Sequence, residues 1–490
     1  MRKKQLQQHF WESPVSPHST MRTGQSKARL HRLSLFIPLL LTVVLASCVS
    51  PSNSNSRVAQ TTPSPSATPA KEEPRAQLTL PILDALLGEE SFVNELKSKL
   101  QLSSDQIDSL KRVATAEVNR LRQTNAEDLS GDPAEARERA TKEINAILGE
   151  EKTRKLDSLS YEFWSRAGEE LEGSIGTQAA MALSPTPNAV PTDTRVVVNI
   201  PAFRMDLFDE GKLVKSYKIG IGYPEFPLPQ GLRKAQTIIF NPTWTPPDSP
   251  WVAKMNVTPG EKIEAGSKLN PLGPVKIPIG MPSLIHGGKP VAKLGTFASH
   301  GCVGLTSPQV KDFAKLLTRV SDTEINEATI ERYWVDKTNT KTVKLRQAVP
   351  VELRYETIVV EDGKLHIYKD VYAQDTNTEE KLRTVLEAHG VRFDDLSEDQ
   401  KAQVLYALNA MSARPKPMPT PSSSVATNET ANANQPEKKK TKRSEKKPPK
   451  NQKEVVVELS ALAGRGYPAP VNFDDGTGKP AQTVALRDQR

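Results

Sequence analysis

Two histidines and a cysteine lie close together in this 490-residue chain. His286 stands in Leu284-Ile285-His286-Gly287-Gly288, and after twelve intervening residues comes Ser299-His300-Gly301-Cys302-Val303-Gly304-Leu305. A cysteine attacks as its thiolate, yet at an ordinary pKa of about 8.5 only a few per cent is ionised at neutral pH. A neighbouring imidazole that lowers the thiol pKa by about two units favours the ionised form by roughly 2.7 kcal/mol and makes thiolate the major species. The pattern points to nucleophilic chemistry at Cys302, with glycine-flanked imidazoles to take its proton. The competing reading is a buried structural cysteine, since an unpaired Cys behaves as a small hydrophobe.

Compartment bears on that choice. Arg22, Lys27, Arg29 and Arg32 precede an apolar run from Leu33 to Leu45, which ends in Leu45-Ala46-Ser47-Cys48. The run is shorter than the roughly 20 residues that span a bilayer, so it reads as a secretory signal rather than a retained membrane helix. The tetrapeptide resembles a bacterial lipobox, which implies lipidation of Cys48 and attachment to a membrane of the cell envelope. Cys48 and Cys302 are the two cysteines of the chain. Exported proteins tend to pair their cysteines or avoid them, so a solitary thiol at Cys302 asks for a reason.

The elements that must position these residues emerge by subtraction. With 39 prolines and 37% hydrophobic residues, the chain is too long and too polar for one core. Residues 1–47 form the signal segment and 48–79, rich in Ser, Pro, Asn and Thr, a disordered spacer. In residues 80–175, Ile107, Leu110, Ala114, Val118 and Leu121 recur at helical spacing. A second stripe, Ile144, Ile147 and Leu148, follows the break at Gly131-Asp132-Pro133. This predicts a helical hairpin. Its opening, Leu102-Ser103-Ser104-Asp105-Gln106, and a later copy, Leu396-Ser397-Glu398-Asp399-Gln400, resemble the LTxxQ repeat of periplasmic helical-hairpin chaperones. Both also read as capping boxes, Ser followed by Gln three residues on.

A linker over 176–193 leads into residues 194–375, where alternation takes over. Val196 and Val198 begin it; Met205, Leu207, Val214, Tyr217 and Ile219 continue it. A hairpin is predicted across Asp362-Gly363. Between Ser307 and Arg319, a capped start with Pro308 in the first turn, followed by Val310, Phe313, Leu316 and Leu317, marks one main helix. Residues 378–411 read as two short amphipathic helices, 412–453 as a disordered linker and 454–490 as a tail. From Lys438 to Lys453 there are nine basic residues and one Glu, a local charge of +8 that equals the net charge of the whole chain. Such a run could hold anionic wall polymers by screened attraction, or serve as a solvated spacer. Nucleic acid is an unsuitable partner for an exported chain.

Residues 194–375 resemble the L,D-transpeptidase catalytic domain, whose hallmark is a histidine followed at a short interval by Ser-His-Gly-Cys. Pro227-Leu228-Pro229-Gln230-Gly231, Asn241-Pro242-Thr243-Trp244-Thr245-Pro246-Pro247 and Asn270-Pro271-Leu272-Gly273 match further segments of that family. The resemblance implies a mainly β catalytic domain with one main helix, joined to the separate N-terminal helical hairpin by disordered linkers. It also implies that Cys302 is the nucleophile and His286 its base, with His300, Ser299 and Gly301 in support. Gly287 and Trp244 would lie on the substrate side, and backbone N–H groups near Gly301 and Cys302 would receive the oxyanion. The implied substrate is a peptidoglycan stem peptide, which loses D-Ala as it passes through a thioester, without metal or organic cofactor.

One position departs. The family carries arginine where this chain has Gly304, and Lys289, Lys293 and Arg233 are the cations that could take its place. Three rivals stand beside the enzyme reading. Papain-like enzymes place cysteine before histidine, the reverse of the order here. The other two are a non-catalytic wall-binding lipoprotein that keeps the fold, and an envelope chaperone with a tethered enzyme domain.

Overall fold

A computed structural model describes residues 78–123, 132–166, 186–247, 252, 255–280, 283–416 and 452–478. The signal segment, Cys48, the spacer up to residue 77 and most of the basic run lie outside the described residues. No described helix is long and apolar enough to cross a membrane.

The two predicted helical stripes are α3 (Ser104–Gln123) and α4 (Pro133–Leu148), preceded by α1 (Leu80–Leu87) and α2 (Glu90–Lys99) and followed by α5 (Glu150–Arg166). The expected hairpin is thus two members of a larger bundle. Asp132 caps α4 by accepting a hydrogen bond from the Ala134 N–H at 2.8 Å, and Pro133 suits the first turn, where no N–H is needed. Ser103 and Gln106 do form a capping box, each accepting from the other's backbone N–H. Leu83, Phe92, Leu96, Leu110 and Leu156 are fully buried at the centre of this bundle.

Residues 195–354 are built on one curled sheet. Its strands are β1 (Arg195–Asn199), β2 (Arg204–Asp209), β3 (Lys212–Lys218), β5 (Gly231–Phe240), β6 (Val275–Pro278), β7 (Leu284–His286), β9 (Val303–Gly304) and β10 (Lys341–Arg354). Their order is β3-β2-β1-β10-β5-β6-β7-β9, while β4 (Ile221–Gly222) and β8 (Phe297–Ser299) pair separately. Of the alternating residues of the sequence, Val196, Val198, Met205, Leu207, Tyr217 and Ile219 face one core, while Val214, at a register shift in the β2–β3 pairing, is only half-buried and lies outside it. Against it lie α6 (Ser307–Val320), closed by a Thr306–Gln309 capping box, and α7 (Glu327–Val335). The helix α7 was not expected from the sequence; Ile330 and Trp334 bury its inner face.

Asp362 and Gly363, with φ of 46° and 73°, turn the chain between β11 (Ile358–Glu361) and β12 (Lys364–Tyr368), as the Asp-Gly signal demands. This hairpin does not join the main sheet. It pairs with β13 (Glu454–Val457), from the segment read as a tail, and α8 (Glu379–Ala388) and α9 (Glu398–Met411) cover it to form a second β/α core. Beyond β13 the chain returns to the main sheet. The Ser216 N–H donates to the Val471 carbonyl and the Lys218 N–H to that of Asp474, so the exposed edge of β3 is covered.

The helical bundle is seated on the main-sheet region at one loop. Phe226 is buried in the bundle's own core, the Thr79 hydroxyl donates to the Glu225 carbonyl at 2.7 Å, and Arg139 holds the Glu225 carboxylate at 2.8 Å. Burial pushes the Glu225 carboxyl up and Arg139 pulls it back down. Arg139→Ala should therefore destabilise the fold by on the order of 2 kcal/mol, since it strands a buried charge whose partner was itself partly exposed. The acid left unpaired prefers to hold its proton, so this loss should grow as pH rises through the raised Glu225 value and shrink in acid. Urea melts of both proteins at acid and alkaline pH read the difference directly.

Candidate active site

Strand pairing sets the strand that ends in His286 beside the strand that follows Cys302. β7 and β9 run parallel, with Ile285 opposite Val303 and His286 opposite Gly304. Ile285 and Val303 are fully buried in the main core. Alternation therefore turns His286 and Gly304 towards the other face of the sheet, and Cys302 lies two residues before Gly304 in the turn that leads into β9. The ladder continues into the loops: the Leu305 N–H donates to the His286 carbonyl at 2.9 Å, and the Lys289 N–H to the Leu305 carbonyl at 3.0 Å.

The turn before Cys302 is tied down by two serines. The Ser299 hydroxyl accepts from the Cys302 N–H at 3.0 Å and donates to the Cys302 carbonyl. Ser283, buried just ahead of β7, donates to the Gly301 carbonyl at 2.7 Å. Gly301 has φ of 90°, where a side chain would be strained. Ser283 was missed by sequence reading; its one signal was its place immediately before the strand that carries His286. The Cys302 N–H, one of the donors expected to receive an oxyanion, is taken by Ser299 in this structure.

His286 is buried, and its ring contacts the Gly287 carbonyl through Nδ1 at 2.8 Å and the backbone at Leu272. Burial, reinforced by the Lys289 charge, holds this imidazole down to about 3. Cys302 is a half-buried free thiol. Burial pushes the thiol up, against a hydrogen bond at the Leu284 backbone and the Lys289 charge, which pull it down. The sequence suggests a resting thiolate; the structure holds a thiol and a neutral ring, because desolvation of both outweighs the attraction available to either.

His300 packs against two aromatic rings. Its ring lies 5.1 Å from Tyr223 and 5.1 Å from Phe226, centroid to centroid, and burial holds it well below the ordinary imidazole value. The loop carrying these aromatics is clamped from both sides. Tyr372 donates to the Gly222 carbonyl and accepts from the Leu228 N–H, while the helical bundle holds Glu225 and Phe226. The Pro227 and Phe226 carbonyls face Gly301, 3.8 and 4.0 Å from where its Cβ would stand.

Gly287 is packed too closely for a side chain, since a Cβ there would lie 2.6 Å from a Val310 methyl. Trp244 is buried with Val252 and Leu272 in a satellite cluster that Leu284 of β7 also joins. Of the three cations considered, Lys293 is exposed at the end of a short turn, and Arg233 is buried on β5, where Tyr161 of α5 acts on it. Lys289 is the one whose charge reaches Cys302, His286 and His300. Among the described residues no cluster of His, Cys, Asp and Glu could hold a metal ion.

Residues 193–343 match the L,D-transpeptidase catalytic domain family, YkuD. No curated protein matches the chain. Among solved structures, the catalytic domain of an Enterococcus faecium L,D-transpeptidase is 16% identical over 33% of this chain and 98% of that one, with a TM-score of 0.22. An L,D-transpeptidase from Mycobacterium smegmatis is 16% identical over 33% of this chain and 58% of its own, at a TM-score of 0.20. The Ldtfm–avibactam carbamoyl enzyme is 15% identical over 33% of this chain, at a TM-score of 0.22, and the match spans 49% of that chain. The chain therefore spans about half the length of some of the proteins it resembles. Residues 193–343, with the curled sheet, the His286 strand and the Ser-His-Gly-Cys turn, are thus similar to the L,D-transpeptidase catalytic domain family.

Proposed function

We propose that this chain is an L,D-transpeptidase of the cell envelope, acting on peptidoglycan stem peptides through a Cys302 thioester. The observation that supports the reading is the parallel β7–β9 pairing, which puts His286 opposite Gly304, two residues after Cys302. The Cys302 sulfur attacks the carbonyl between the third stem residue and D-Ala while neutral His286 takes the thiol proton. Collapse breaks the C–N bond, His286 returns the proton to the departing amine of D-Ala, and the peptide remains on sulfur as a thioester. An acceptor amine then attacks that carbonyl, and the sulfur leaves to become the thiol again. Because the resting partners are both neutral, proton transfer accompanies attack rather than preceding it.

Ser299 and Ser283 hold the Cys302 turn in shape, and His300 props the Tyr223–Phe226 loop beside it. Gly287 and Trp244 shape the substrate-side wall through backbone and packing. In the same reading Cys48 carries lipid and tethers the enzyme at the outer side of a membrane, and the Lys438–Lys453 run holds anionic wall polymers. The test is mass spectrometry of muropeptides after incubation of the purified protein with disaccharide-tetrapeptides. Loss of D-Ala with dimeric or exchanged products, absent with Cys302→Ala, supports the reading. Unchanged products with that variant refute it.

A further inference from the structure

Gly304 and Lys289 form one device. The methylenes of Lys289 lie along the face of Gly304, where a Cβ would fall 2.9 Å from Cγ, 3.4 Å from Cδ and 3.1 Å from Cε. The absence of a side chain at Gly304 is thus what lets Lys289 lie there. Its backbone is fixed from the other side by the bond from its N–H to the Leu305 carbonyl. Gly304 is two residues from Cys302 and pairs opposite His286.

We propose that Lys289, seated on Gly304, is the positioning cation of this site, stabilising negative charge as it develops at Cys302. The proposal concerns the charge around the same cysteine and so rests on the acyl-transfer reading for its use in turnover. The charged and titratable groups acting there are Cys302 itself, His286 and His300, both held neutral by burial, and the exposed Lys293. Burial weakens the Lys289 ammonium and the Cys302 charge supports it, so the two stabilise each other. An arginine at 304 would have to displace the lysine stem, and glycine at 304 together with lysine at 289 supplies one cation by a different route. A cation at this point also keeps His286 unprotonated and ready to accept the thiol proton.

Alkylation of Cys302 tests this without any turnover. The full-length protein is treated with neutral iodoacetamide and anionic iodoacetate over a range of pH, and modification is followed on the Cys302 peptide by mass spectrometry. Lys289→Met should move the midpoint of alkylation upward by about one pH unit. It should also lower the iodoacetate-to-iodoacetamide rate ratio several-fold, and Lys289→Arg should restore most of both. Gly304→Ala, which pushes the lysine stem aside, should give part of the same shift, and Lys289→Met with Gly304→Ala should be no worse than Lys289→Met alone. Thermal melts check that each variant is folded. An unchanged midpoint and reagent ratio in folded Lys289→Met overturns the proposal, as does strict additivity with Gly304→Ala. Loss of the muropeptide products with these alkylation effects intact would instead strike the acyl-transfer reading alone.

Discussion

Replacing His286 by glutamine should slow D-Ala release by about a hundredfold to ten-thousandfold, and replacing Cys302 by alanine should abolish it. Glutamine keeps a polar group near the Gly287 and Leu272 backbone but cannot accept and return a proton. The loss should therefore fall on kcat, with KM little changed, because neither residue is needed to hold the stem peptide. The pH profile is the sharper reading. An exposed histidine base would give an acid limb near pH 6.5. Burial and Lys289 hold His286 down to about 3, so the base stays available and that limb should be missing from kcat/KM. Stopped assays of D-Ala release across the acid range, on wild type and His286→Gln, check both points.

The same buried ring makes the fold sensitive to acid. His286 has a folded value of about 3 and an unfolded value near the ordinary 6.5, so between them the unfolded chain binds the extra proton. Stability is fully present above about pH 6.5 and is lost as pH falls towards the folded value, up to a ceiling of about 5 kcal/mol. His300, also pushed down by burial, adds to the slope in the same direction. Urea midpoints should fall steeply from neutral pH to about pH 4, and His286→Phe should flatten part of that fall while leaving the carboxylate contribution. A slope identical in the two proteins would mean that the ring titrates in the folded state at its ordinary value.

What the sequence shows and what it hides divide along physical lines. α3, α4 and α6 were legible because each carries a polar face that makes its apolar stripe visible, and each starts with a capping residue. α1 was not, because Leu80, Pro81, Ile82, Leu83, Leu86 and Leu87 are all buried and little polar face remains to reveal a period. The Asp362-Gly363 hairpin was read correctly as a hairpin, yet its neighbour β13 lies across the long basic segment, and no local signal links strands that far apart. The His286 and Cys302 pattern was visible in spacing alone. The direction of the thiol shift was not, because desolvation depends on what packs over the sulfur rather than on what precedes it in the chain. Lys289 stood in the sequence as one of three candidate cations. Only the geometry of Gly304 singles it out.

The most direct test is intact-protein mass spectrometry after rapid acid quench of the enzyme mixed with disaccharide-tetrapeptide and no acceptor. The account predicts an added mass equal to the donor less D-Ala, localised to the Cys302 peptide, sensitive to hydroxylamine and missing in Cys302→Ala. Release of D-Ala at the wild-type rate by Cys302→Ala, or an adduct carried on another residue, would contradict it.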